Sequence, residues 1–205
     1  MAERTNEVKH RLEGDYITAI DGAVLKHKDY FNLKDLYVLM HEWLVQYGWC
    51  TRADEDFPEK FFLQKEAQQS GKELWIWWRL EKFPDGVYNT YYKYQLDIDV
   101  HVILLKDVEV VRNGVKFKAH HGEPEIKLNA RVVVDYQNKW KNHWLLGSFY
   151  EVFRNRVFKV PFSMHRRELY REIYRFQEHM KTYFKLMTYL PEEEGEQWQI
   201  NEDYE

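Results

Sequence analysis

The chain has a single cysteine, Cys50. No intrachain disulfide can form, so the fold must rest on a packed core. Proline and glycine are scarce, five and nine in 205 residues, which argues against a linker-rich or fibrous chain. No apolar run reaches the roughly 18 residues that would suggest a membrane span. The opening stretch, MAERTNEVKHRLEGDY, is charged and lacks the 7–15-residue apolar core of a secretory signal. A reducing, cytoplasmic setting is the expectation. Also missing are G-x-S-x-G, a phosphate-binding P-loop and G-x-G-x-x-G, so no motif fixes a nucleophile or a nucleotide cofactor.

What is present is aromatic and unevenly charged. Aromatic residues make up 17% of the chain, with eight tryptophans; such side chains fill a core, line a pocket or anchor an interface. The net charge is -4, but residues 154–185 hold nine Lys/Arg against three acids, while residues 192–205 hold seven acids and no Lys/Arg. The segregation creates local fields that the net value hides.

Periodicity divides the chain. Residues 1–14 are polar and read as a flexible N-terminus, residues 15–190 as a single α+β domain, and residues 191–205 as an acidic disordered tail. Residues 16–25 fit either a short strand or a turn-rich lead-in around Asp21-Gly22. Asn32 suits a helix N-cap. Leu36, Leu39, Met40, Trp43, Leu44 and Tyr47 then recur at helical spacing, and Gly48 suits the stop. A helix over 33–47 is predicted.

From residue 61 the period becomes two. Strands are predicted over 61–67, 72–83 and 88–105, with turns at Ser70-Gly71 and Pro84-Asp85-Gly86. Short runs 108–112 and 115–118 flank Asn113-Gly114, a strong hairpin signal. Residues 120–124 read as a further turn, and Ile126 to Tyr136 alternate again. The result is an antiparallel meander of five or six strands. Residues 142–158 regain helical spacing through Leu145, Phe149, Val152, Phe153 and Val157. Pro161 reads as a break, and Ser163 as the N-cap of a long amphipathic helix over 164–189. One helix before the strands and one after them can cover a face of the sheet. This element order resembles the helix-grip arrangement of START and Bet v 1-like domains, which implies a curved antiparallel sheet wrapped around the last helix.

Four features could carry function. The first is LWIWWRL, where Trp75 and Trp77 face away from Leu74, Ile76 and Trp78. Both strand faces are apolar here, so something must cover Trp75 and Trp77: another element, a ligand, or a second protomer in a homodimer. Together with Tyr92 and Tyr94 they suggest a non-enzymatic binding module for an apolar or amphipathic ligand held between sheet and C-terminal helix.

The second is the C-terminal helix. Leu169, Ile173, Phe176, Met180, Phe184 and Met187 form one stripe. Arg167, Arg171, Arg175, Lys181 and Lys185 lie opposite, with Tyr170 and Tyr174 at the margin. The stripe alone describes a core helix with a solvated back. The basic face also suits an anionic surface, lipid headgroups or RNA, and the acidic tail suits a competitor for that face. The third is Asp97, Asp99 and His101 on one strand face. They are chemically fit for a divalent metal or acid–base work, although neighbours on such a face stand about 7 Å apart. A metal-dependent enzyme is the remaining alternative. The fourth, His120-His121, needs a chain bend to share a metal, and Cys50 reads as a buried structural thiol. No cofactor is implied.

Overall fold

The computed structural model describes residues 15–53, 57–67, 71–84, 91–112, 115–145, 147–149, 152 and 159–188. It contains strands β1 (Asp15–Lys26) and β2 (Asp29–Phe31), helix α1 (Leu33–Gln46), strands β3 (Glu59–Ala67), β4 (Gly71–Lys82), β5 (Tyr92–Arg112) and β6 (Val115–Val134), and helix α2 (Lys159–Thr188). The strands form one antiparallel sheet in the order β1-β6-β5-β4-β3, and β2 also pairs with β6. β3 to β6 are the predicted meander. The N-terminal strand returns to lie beside the last one. The predicted α+β class and the C-terminal helix packed on an antiparallel sheet are both present.

Helix α1 forms where its sequence signals place it. The Asn32 side chain accepts from the backbone amides of Lys34 and Asp35, satisfying two first-turn donors. At the other end Gly48 has φ +71°, its amide donates to the Val45 carbonyl, and the Trp49 amide donates to that of Leu44. This is a Schellman stop. Nothing lies within 4 Å of a Cβ built on Gly48, so a substitution there meets only the backbone penalty. Gly48→Ala should cost about 1 kcal/mol, read as a lower urea midpoint with an unchanged slope; an unchanged midpoint would contradict this capping role.

The long strands merge what the sequence divides. Residues 108–112 and 115–118 do pair as a hairpin, with Arg112 opposite Val115, but as the ends of β5 and β6 and not as separate short strands; Asn113 and Gly114 themselves lie outside the described residues. Residues 120–124 lie within β6 rather than in a turn. The irregularity appears instead as a bulge in β5. The register shifts between Ile103 and Lys106, where Leu104 takes φ 56°. A Cβ on Gly122 would lie 3.1 Å from the Ile103 carbonyl, so glycine permits the close approach, and Pro124 is tolerated beside the bulge. Residues 16–25 prove to be strand, bulged near Gly22 (φ +65°), whose amide donates to Asn129 Oδ1 at 2.8 Å.

Two further predictions need correction. Pro161 does not break the chain before α2. The helix begins at Lys159, and Pro161 occupies the first turn, where an amide would have no helical partner anyway. Nor do residues 142–149 form a regular helix. The Asp135 carboxylate accepts from the amides of Trp140 and Lys141, which holds residues 135–141 as turns. A 3₁₀ turn, Gly147–Phe149, follows. Leu145, Phe149 and Val152 are exposed; Phe153 and Val157 lie outside the described residues, as do residues 1–14 and 191–205.

The two helices cover one sheet face. α2 lies against β1, β2 and β6 and touches α1, while α1 reaches β4 through an edge-to-face contact of Tyr37 with Trp78. Trp78, Leu96, Ile98, Leu169, Phe176 and Leu44 are completely or almost completely buried between them. Two polar latches join the helices. The Tyr183 hydroxyl donates to the Asn32 carbonyl at 2.8 Å and accepts from its amide at 3.2 Å, and burial pushes its pKa up to about 12. Glu172 accepts from the Trp49 indole at 2.7 Å and from Lys82 at 2.6 Å.

The His27 ring stacks on Phe184 at 4.5 Å with its Nε2 buried and unpartnered. Burial lowers its pKa below the ordinary 6.5. As pH falls through 6.5 the unfolded chain binds a proton there before the folded chain does, so folding stability declines. In His27→Phe, which keeps the stack, that component should vanish. The stability difference, variant minus wild type, should grow toward acid pH in urea unfolding; a pH-independent difference would rule the effect out.

Candidate functional site

The four residues proposed for an apolar ligand do not surround one space. Tyr92 and Tyr94 lie on the helix-covered face and are buried. The Tyr94 hydroxyl meets His165 Nδ1 at 2.8 Å and Glu168 at 3.3 Å. Trp75 and Trp77 lie on the opposite face, because successive residues of a strand point to opposite sides. They are half-buried by neighbours on the sheet itself. Trp77 stacks on Phe61 at 4.1 Å and Trp75 on His101 at 5.0 Å, with Lys65 over Trp75. β4 is paired on both sides, so the tryptophan strand offers a second protomer its face and not its edge; the sheet's outer strand here is β3.

Asp97, Asp99 and His101 do share that outer face, each with a partner across the sheet. Asp97 sits between Arg79 at 3.5 Å and Arg131 at 3.0 Å, Asp99 pairs with Arg79 at 2.7 Å, and His101 with Glu73 at 2.8 Å. Asp97 and Arg79 are buried, which a charge tolerates only when paired. Among the described residues no group of three or more His, Cys, Asp or Glu is placed to hold a metal. His120 and His121 diverge as expected of strand neighbours. His120 Nδ1 accepts from the Leu33 amide, and His121 meets the Tyr30 ring. Cys50 is half-buried against the core.

Concave surface lies elsewhere, and two adjoining basins run along the groove between the C-terminal half of α1 and α2. One basin of about 470 Å³ is lined by Tyr47, Met164, Arg167, Glu168, Arg171, Glu172 and Arg175. An adjoining basin of about 520 Å³ is lined by Trp43, Tyr47, Tyr170, Arg171, Tyr174 and Arg175, with Glu178, His179 and Thr182. Tyr47, Arg171 and Arg175 border both, so the two arginines form a ridge between a charged basin and an aromatic one.

The electrostatics of the groove follow from which charges are already used. Glu172 is held by Lys82 and Trp49, Glu168 contacts Tyr94 and His165, and Glu178 pairs with Lys181 at 2.8 Å. Lys181 holds Glu178's carboxyl below its usual range and is itself raised in return. Arg167, Arg171 and Arg175 are exposed and have no acidic partner within 4.0 Å among the described residues. Their i, i+4, i+8 spacing sets them about 6 Å apart along the helix axis. Lys185 is exposed beyond the groove. Of the five predicted basic residues, three therefore share one concavity, one is paired, and one stands apart.

No family model, curated protein or solved structure matches this chain. Its functional reading therefore rests on the groove itself. Tyr47, Trp43 and Met164 belong to that groove, although the sequence alone places Trp43 and Tyr47 only in the helical repeat of α1. The sequence signal that could have found them is the aromatic pair at the end of α1, whose rings stack at 4.0 Å; nothing local says that α2 lies beside them.

Proposed function

We propose that this protein is a non-enzymatic binding module that takes a phosphate-bearing anionic ligand in the α1–α2 groove, on Arg167, Arg171 and Arg175. The observation that carries the reading is three exposed arginines without acidic partners among the described residues, aligned on one helix and lining one concavity. Guanidinium groups present planar forks of donors suited to phosphate oxygens. In an otherwise acidic chain of net charge -4, leaving three of them unpaired side by side sacrifices local ion pairing and creates a positive field where an anion would sit.

The packing bears on how contact would occur. Leu169, Ile173, Phe176 and Met180 are buried against the sheet, so the apolar side of α2 is not available to enter a bilayer, and among the described residues no helix is long and apolar enough to cross one. Contact is then by the polar face alone, an electrostatic mode that salt screens. Binding of a short single-stranded oligonucleotide should weaken with a slope of about -2 in log K against log salt, three contacts at roughly -0.7 each. A slope indistinguishable from zero would defeat the reading. Removing residues 192–205, with their seven acids, should strengthen the same binding.

A further inference from the structure

We infer that the groove's ligand is an unpaired nucleic-acid strand, with phosphates on the Arg171–Arg175 ridge and a base in the adjoining aromatic basin. The inference rests on the anion reading above and adds the ligand's class. A free phosphate or a lipid headgroup would use the charged basin alone. It would leave unexplained why the same two arginines wall a second basin of about 520 Å³ bordered by Tyr47, Tyr170 and Tyr174.

That basin has the features a base needs. Tyr170 and Tyr174 lie with centroids 5.7 Å apart and planes at 26°, each nearly half exposed at 46% and 45%. They are tyrosines held in order on the helix yet open to solvent. Tyr47 is fixed from behind by its stack on Trp43, and Trp43 in turn by an edge contact with Phe176. The Tyr47 ring is thus set by the core before any ligand arrives, which lowers the ordering cost of binding. Lys181 stands over the Tyr174 ring at 5.7 Å, adding positive charge at the rim.

A double helix presents base edges and hides base faces, so it cannot use a stacking surface of this kind. An unpaired strand can, and stacking on aromatic rings tolerates any base. The helical repeat of the arginines, about 6 Å along the axis, lets neighbouring phosphates of one extended strand meet neighbouring arginines while an intervening base turns toward the tyrosines. The polar residues lining the aromatic basin, Glu178, His179 and Thr182, are exposed, so recognition is of strand and stacking, with weak sequence preference.

The test compares strands of equal charge. Affinities are measured by fluorescence anisotropy, at fixed salt, for a short oligo(dT), for an abasic deoxyribose-phosphate strand of the same length, and for vesicles of phosphatidylserine and phosphatidylcholine. Wild type should bind oligo(dT) about tenfold tighter than the abasic strand. The variant Tyr170→Ala/Tyr174→Ala should lose that preference while keeping its abasic affinity, and Tyr170→Phe/Tyr174→Phe should retain it. Both positions are exposed, so the fold should persist, checked by circular dichroism. Equal affinity for the two strands, or a preference that survives both alanines, overturns the stacking proposal and leaves the anion reading standing. Binding to vesicles with none to either strand also overturns it. If no anionic probe binds, both readings fall.

Discussion

Replacing Arg167, Arg171 and Arg175 together by glutamate should lower affinity for an anionic strand by about 100-fold or more, since charge-assisted contacts are individually worth roughly a factor of ten. The folding midpoint should stay near that of wild type, because all three side chains are exposed and make no ion pair among the described residues. The control is Lys181→Glu/Lys185→Glu. Neither lysine borders the two basins, and Lys181 is already engaged by Glu178, so this double reversal should cost far less, by rim electrostatics alone. Equal losses for the two variants would mean that only the general charge of α2 matters and that the groove has no special role.

Removing Asp97 should have the largest effect on stability. Its carboxylate is 2% exposed as a residue and lies between Arg79 and Arg131. Arg79, itself buried, also donates to the Trp78 carbonyl at 2.8 Å and pairs with Asp99. Asp97→Ala leaves buried positive charge undercompensated, and breaking such a pair from one side typically costs about 3–5 kcal/mol. Urea unfolding measures it. The double variant Arg79→Met/Asp97→Leu should recover part of that loss, since it removes the two buried charges, while Arg131 and Asp99, which lose their partners, are less deeply buried. A loss below about 1 kcal/mol in Asp97→Ala would show that the network is solvated and not a buried element of the sheet.

How far these sites can be read from the sequence depends on whether their residues are neighbours in it. The stripe of Leu169, Ile173, Phe176 and Met180 and the arginines opposite follow from one helical period, and all four stripe residues are buried. Asn32 and Gly48 mark the ends of α1 because capping is local chemistry. Alternation from Tyr92 to Val102 likewise separates core from outer face. What fails is whatever depends on another strand or helix. The Asp97–Asp99–His101 face looks like a candidate metal site until β4 and β6 supply Arg79, Arg131 and Glu73. The histidine-rich stretch before Pro124 looks like a turn until the β5 bulge absorbs the irregularity. Residues 142–149 have helical spacing, yet the Asp135 carboxylate holds the Trp140 and Lys141 amides in a run of turns, and a 3₁₀ turn follows. The groove itself joins the end of α1 to the middle of α2, segments separated by four strands of chain, so its aromatic wall is visible only once the fold is assembled.

The placement of the ligand is the central claim, and backbone NMR during titration with a short oligo(dT) tests it most directly. The account predicts that chemical-shift changes concentrate at Tyr47, Arg171, Tyr174 and Arg175 and decay with distance from the α1–α2 groove. Changes centred instead on Trp75, Trp77 and His101, on the opposite face of the sheet, would contradict it.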